Sequence, residues 1–262
     1  MLADCIVPAF WLGFGLCVGS FINVVIHRLP RNRSLLRPAS HCPRCRKPVA
    51  YRDNIPILGY ALLGGKCRYC RKRISCRYPM VEALTGALAC ALSLQYAGNV
   101  PWILLSIAAA AAFVAVAFID WDTFIIPNEL SLGLSALGLA ASPLNPVFEG
   151  PGLSRFTMSF AGGLAGLVLC WGVATFGEKI FKKEAMGGGD IKLLAAVGAW
   201  SGVLGAFDCL IVASFFGAIY GAGLLFRKKA SRQDPIPFGP FLSAAAILNF
   251  FYILPFGFPF IP

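Results

Sequence analysis

Long, unbroken apolar runs dominate this chain. They lie near 6–27, 79–97, 101–119, 129–147, 156–177, 191–207, 208–226 and 238–258. Most approach the roughly 20 residues that a helix needs to cross about 30 Å of hydrocarbon. None shows the apolar/polar alternation of an outer-membrane barrel. The pattern predicts an all-α polytopic membrane protein with about eight transmembrane helices, the sixth and seventh nearly continuous. The first run has only Asp4 as a charge before it and no small-residue cleavage site after it. It therefore reads as a retained span and not as a signal peptide. A polar stretch separates it from the second run. The expected division is a first transmembrane helix at 1–27, a loop domain at 28–78, and a seven-helix transmembrane remainder at 79–262.

Composition agrees with a membrane setting. Of 262 residues, 58% are hydrophobic and 13% charged, against about 25% charged in an ordinary soluble domain. The charge distribution adds an orientation. Fourteen of the 23 Lys and Arg residues lie between Arg28 and Arg77, where Asp53 is the one acid. Cytoplasmic loops collect Lys and Arg, so loop 28–78 is expected inside and the N-terminus outside. Attraction to anionic membrane lipid follows from the same charge. No nucleic-acid partner is expected, because the segment has few aromatics for base stacking. Alternating the later connections puts those bearing Asp120, Asp122 and Glu129, Glu178 to Lys192, and Arg227 to Asp234 inside. Only Glu149, Arg155 and Asp208 fall on the outer links. Small residues at four-residue spacing (Gly15 with Gly19, Gly162 with Gly166, Gly217 with Gly221) predict close helix packing.

Loop 28–78 carries Cys42-x-x-Cys45 and Cys67-x-x-Cys70, with 21 residues between the pairs. Two such pairs suit four thiolates around a tetrahedral zinc. Disulfides are the alternative, disfavoured in a reducing compartment. Four cysteines leave no position open for a catalytic water, so the expected zinc is structural and supplies folding energy to a loop with little core. Cys5, Cys17, Cys76, Cys90, Cys170 and Cys209 lie mostly in or beside spans, as small apolar fillers.

Two carboxylates remain to be explained. Asp120 closes the third span and Asp190 opens the sixth, after Gly187, Gly188 and Gly189. Ionisable groups at membrane depth point to function. Two on one side of the membrane, from separate helices, predict a pair that shares a proton, one acting as base on a water and the other polarising a carbonyl. Gly187 and Gly189 would let backbone approach backbone, and Pro127 marks the start of the next helix. Helix capping is the competing reading, with Asp190 as an N-cap. The residues alone leave catalysis and capping evenly matched. Asp122, two residues past Asp120, points to another helix face and reads as a supporting group. Ser20, Asn23 and His27 share one face of the first span, as interhelical hydrogen-bond donors or, more boldly, as a cavity wall beside the aspartates. Glu82 reads equally as a site residue or an interfacial charge.

The chain resembles the type IV prepilin peptidases, bifunctional leader peptidases and N-methyltransferases of the bacterial inner membrane. The resemblance rests on FGLCVGSFINVVIHRLP (14–30), the two CxxC pairs, DNIPILGY (53–60), GKCRYC (65–70), RYPMVEALTG (77–86), DWDTFIIPN (120–128), GGGDIKLLAAVGAW (187–200) and IPFGPFLSAAA (236–246). Its GxGD element is also similar to presenilin-type proteases, which lack the cysteine loop. The resemblance implies that Asp120 and Asp190 are the catalytic pair. It implies cleavage of a basic leader from type IV prepilins or type II secretion pseudopilins after a glycine, followed by methylation of the new N-terminus from S-adenosylmethionine. It associates methyl transfer with the cytoplasmic loop, including Gly65 and Lys66. A proton- or ion-coupled transporter and a non-catalytic assembly protein anchored by its zinc loop are the rival functions.

Overall fold

The computed structural model describes residues 2–182, 186–227 and 235–253. Its α-helices are α1 (Leu2–Arg28), α2 (Leu58–Leu62), α3 (Arg77–Gln95), α4 (Val100–Thr123), α5 (Asn128–Ala141), α6 (Gly152–Phe181), α7 (Gly188–Phe226) and α8 (Gly239–Leu248). Two isolated β-bridges, His41 with Pro48 and Lys66 with Arg73, are the extended pairing among the described residues. Each predicted apolar run overlaps a helix among the described residues. Four described segments are long and apolar enough to cross a membrane: Ile6–Arg31, Val100–Thr123, Gly152–Ile180 and Gly188–Phe226. The predicted count of about eight is therefore not reproduced.

The shortfall has local causes. Helix α5 ends at Ala141 because the Ser142–Leu144 3-10 turn carries Pro143, with Pro146 soon after, and proline cannot continue a helix. Helix α8 has ten residues and spans about 15 Å at 1.5 Å per residue. Helix α3 is long enough but carries Arg77, Glu82 and Thr85. The link charges Lys183, Glu184, Lys228, Lys229, Arg232 and Asp234, the end of the 238–258 run and the Cys5 side chain lie outside the description.

The chain forms two compact units, Met1–Ala115 and Val116–Pro262. In the first, α1 packs on α3 through glycines. A methyl group added at Gly19 would sit 2.7 Å from Glu82 Cα, and one at Gly15 would meet Ala89 and Thr85. The Nδ2 of Asn23 donates across the pair to the carbonyl of Tyr78 at 3.0 Å.

In the second unit α6 packs on α7 in the same way. Gly162 lies against the backbone of Gly198 and Gly202, and Gly166 against that of Leu194. Helix α7 is broken at Gly202 (φ 73°), so the boundary predicted at 207/208 moves to Gly202. A break strands carbonyls of the preceding turn. Ser159 Oγ donates to the Ala199 carbonyl at 2.6 Å, and Asn145 Nδ2 to the Trp200 carbonyl at 2.7 Å. Both side chains come from distant positions, which is why the local pattern did not locate the break.

Candidate functional site

In the second unit, the end of α4 and the start of α7 each deliver one acid. Asp120 is 5% exposed, and its Oδ2 accepts the backbone N–H of Gly239 at 2.9 Å. Asp190 is half-buried and lies in the first turn of α7. Its N–H returns to the Gly187 carbonyl at 3.1 Å. Gly187, not Asp190, is the N-cap, which corrects the capping alternative. The Oδ1 of Asp190 is buried with no hydrogen-bond partner among the described residues. The two carboxylates lie within electrostatic range of one another. Such a pair has the composition of an acid/base site for hydrolysis.

Three backbone features shape this pair. Gly189 packs on Ile126, 2.9 Å from the position of an added Cβ. An added Cβ at Gly188 would meet nothing within 4 Å. Gly239, at the start of α8, meets Asp120 so closely that a Cβ there would lie 2.8 Å from Oδ2. The sequence pattern missed Gly239; its signal, Phe-Gly-Pro opening a helix, does not reveal a partner 119 residues away. Asp122 is exposed, as its offset from Asp120 predicts. Asn128 Oδ1 accepts Lys192 Nζ at 2.8 Å.

The first unit holds the cysteines. Cys42-Pro-Arg-Cys45-Arg46-Lys47 and Cys67-Arg-Tyr-Cys70-Arg71-Lys72 fold alike. The first cysteine's N–H donates to the lysine carbonyl (3.0 and 2.9 Å), and the arginine after the second cysteine donates back to the first (2.8 and 3.0 Å). That arginine takes a left-handed φ, 58° at Arg46 and 57° at Arg71. All four Sγ atoms lie within 4.8 Å of one another, with Cys42–Cys70 at 3.8 Å and Cys45–Cys67 at 4.0 Å. A sulfur tetrahedron around zinc, with bonds of about 2.3 Å, has edges of about 3.8 Å. The backbone N–H groups of Cys70 and Tyr69 lower the Cys67 thiol to about 6, favouring the thiolate a metal needs.

Two contacts fix the segment between the cysteine turns, one of them from the second turn. Arg68 grips Asp53 through both carboxylate oxygens and holds that carboxyl below the usual carboxylate range. Farther along, Ile57 adopts φ 61°, ψ −52°, and its N–H donates to Glu82 Oε2 at 2.8 Å.

A cavity of about 770 Å³ lies in this unit, lined in part by Ser20, Asn23, His27, Tyr60, Arg68 and Glu82. Ser20, Asn23 and His27 are thus a cavity wall. Gly65 and Lys66 are not among the lining residues. Gly65 backs onto Tyr60, whose hydroxyl would lie 2.9 Å from an added Cβ.

Comparison with known proteins adds an independent line. A family model described as the bacterial peptidase A24 N-terminal domain matches residues 14–96, and one described as the type IV leader peptidase family matches residues 107–222. A prepilin leader peptidase/N-methyltransferase of Aeromonas hydrophila is 36% identical over 259 residues, covering 88% of this chain and 86% of that protein. One from Burkholderia pseudomallei (strain K96243) is 33% identical over 273 residues, covering 95% and 86%. One from Klebsiella pneumoniae is 39% identical over 220 residues, covering 79% and 92%. No solved structure gives a significant match.

Proposed function

The chain belongs to the type IV leader peptidase family and is a protease and methyltransferase, and from that premise we propose that it removes the basic leader of type IV prepilins or type II secretion pseudopilins and then methylates the exposed amine. What supports the peptidase half is that Asp120 and Asp190 lie within electrostatic range and that the buried Asp190 Oδ1 has no hydrogen-bond partner among the described residues, which would leave it to a water or a scissile carbonyl. The two carboxylates share one proton. The ionised one takes a proton from water as its oxygen bonds to the peptide carbon; the protonated one donates to the carbonyl oxygen. Collapse breaks the C–N bond, and the leaving amine regains a proton from the pair. The Gly239 N–H orients Asp120 throughout.

The reaction is assigned to the cytoplasmic face of the inner membrane, where the basic loop is retained and where a membrane-anchored prepilin presents its leader. The four thiolates fit a closed, structural zinc. S-adenosylmethionine supplies an electrophilic methyl group. The cavity of the first unit suits a zwitterionic nucleoside of this kind, being within the ordinary size range for such ligands and carrying carboxylate, guanidinium and phenol groups. Gly65 contributes by leaving room for Tyr60, and Lys66 as a loop cation beside it.

The test is Asp120→Asn and Asp190→Asn with a purified prepilin, followed by mass spectrometry of its N-terminus. Each variant is expected to stay folded and to lose leader removal by at least about a thousandfold. Full activity in either one rejects the pair.

A further inference from the structure

We propose that Glu82 receives the substrate's newly exposed α-amino group in the cavity of the first unit and takes its proton during methyl transfer; this rests on the reading above that the chain methylates that amine. Glu82 is 8% exposed and lines the cavity. One oxygen is fixed by the Ile57 N–H, and the other makes no hydrogen bond among the described residues. The cavity's other carboxylate, Asp53, has both oxygens engaged by Arg68. Of the two carboxylates, Glu82 therefore holds the open oxygen.

The backbone that fixes Glu82 is itself unusual. Ile57 is β-branched and sits at φ 61°, a strained conformation that persists where the surroundings enforce it. On the other side, Gly19 carries no side chain, so α1 lies directly on the Glu82 backbone. The carboxylate is held from two directions and its free oxygen is left to the cavity.

The other charges give this oxygen its chemistry. Arg33, Arg37, Lys72 and Arg73 also line the cavity. Neighbouring cations disfavour an ammonium and keep an amine neutral, with its lone pair available. A neutral amine still has N–H groups that need an acceptor, and Glu82 supplies one. In the transfer the nitrogen lone pair attacks the sulfonium methyl carbon. The N–C bond forms, the C–S bond breaks, and its electron pair goes to sulfur, leaving a neutral thioether. The proton that nitrogen must lose passes to Glu82.

A purely structural Glu82 would need only an acceptor for Ile57, and glutamine provides that. Glu82→Gln therefore separates the two roles. The assay uses full-length enzyme in detergent, S-adenosylmethionine, uncleaved prepilin for leader removal, and a synthetic peptide with the mature N-terminus for methylation. We expect leader removal within about twofold of wild type and methyl transfer lowered about a hundredfold. Calorimetry should show unchanged S-adenosylmethionine affinity, and the wild-type preference for a free-amine over an N-acetylated peptide should vanish. Glu82→Asp, which keeps the acid on a shorter arm, should transfer faster than the glutamine variant. A fall in transfer below about tenfold, a parallel loss of leader removal, or loss of donor affinity in Glu82→Gln overturns the assignment. No transfer by wild-type enzyme on the same peptide rejects the methyltransferase reading itself.

Discussion

Gly239→Ala adds one carbon next to Asp120. The new Cβ would lie 2.8 Å from Oδ2, 3.0 Å from Cγ and 3.1 Å from Cβ of Asp120. Carbon contacts relax near 3.5 Å, so the carboxyl group or the start of α8 must move by about 0.5 Å. The N–H to Oδ2 bond, now 2.9 Å, then leaves the range of a good hydrogen bond. Losing a bond to a charged group costs about 1.5–3 kcal/mol. If that bond orients the carboxylate in the transition state, leader removal falls about tenfold to a hundredfold in kcat. The fold should survive, because Gly239 does not have a positive φ and alanine favours helices over glycine. The assay is a single-turnover time course of prepilin processing, read by gel shift, with thermal unfolding in parallel. Gly172→Ala, in α6 with nothing within 4 Å of its added Cβ, is the control, expected within about twofold of wild type since a site with open space around it tolerates such a change. A Gly239→Ala enzyme that folds and cleaves at the wild-type rate would refute the link between this contact and catalysis.

Two further outcomes follow. Purified protein should carry close to one zinc per chain by elemental analysis, and replacing Cys42 and Cys67 together by serine should abolish it; thiols with no metal at any stage would contradict the tetrahedral fit. Asn145→Ala removes the Nδ2 donor to the Trp200 carbonyl at the α7 break. It should lower stability by about 1–3 kcal/mol, shifting the unfolding midpoint by several degrees in detergent; an unchanged midpoint would show that the carbonyl does not depend on that amide.

What could be read ahead of the structure was whatever repeats or runs. The apolar stretches located every long helix, and the paired CxxC units located a cluster whose sulfurs do converge. Asp120 and Asp190 stood out because a carboxylate in an apolar run is costly. The unread features are contacts between residues far apart, with no periodic trace. Gly202 looks like any helix glycine until Ser159 and Asn145 are found serving the carbonyls it frees. Gly239 gains meaning only beside Asp120. Glu82 was ambiguous because its partner, Ile57, contributes a backbone N–H, which no side-chain pattern reports. The count of about eight spans is not confirmed by the four long apolar helices among the described residues, because hydropathy measures apolar length and is blind to where Pro143 ends a helix.

Arg68 joins the cysteine cluster to the segment that precedes it. It stands between Cys67 and Cys70, yet its guanidinium clasps Asp53, a few residues ahead of the turn that Glu82 braces. One side chain thus works as a tie-rod from the sulfur cluster to the cavity wall. If the four thiolates hold zinc and this cavity carries out methyl transfer, as proposed above, removing the ion would slacken that rod and blur the pocket, while the proposed aspartate pair, which belongs to the second unit, would keep its own contacts. A cell short of zinc would then shed pilins that are trimmed but unmethylated, so metal supply would set the finish of the product more than its amount.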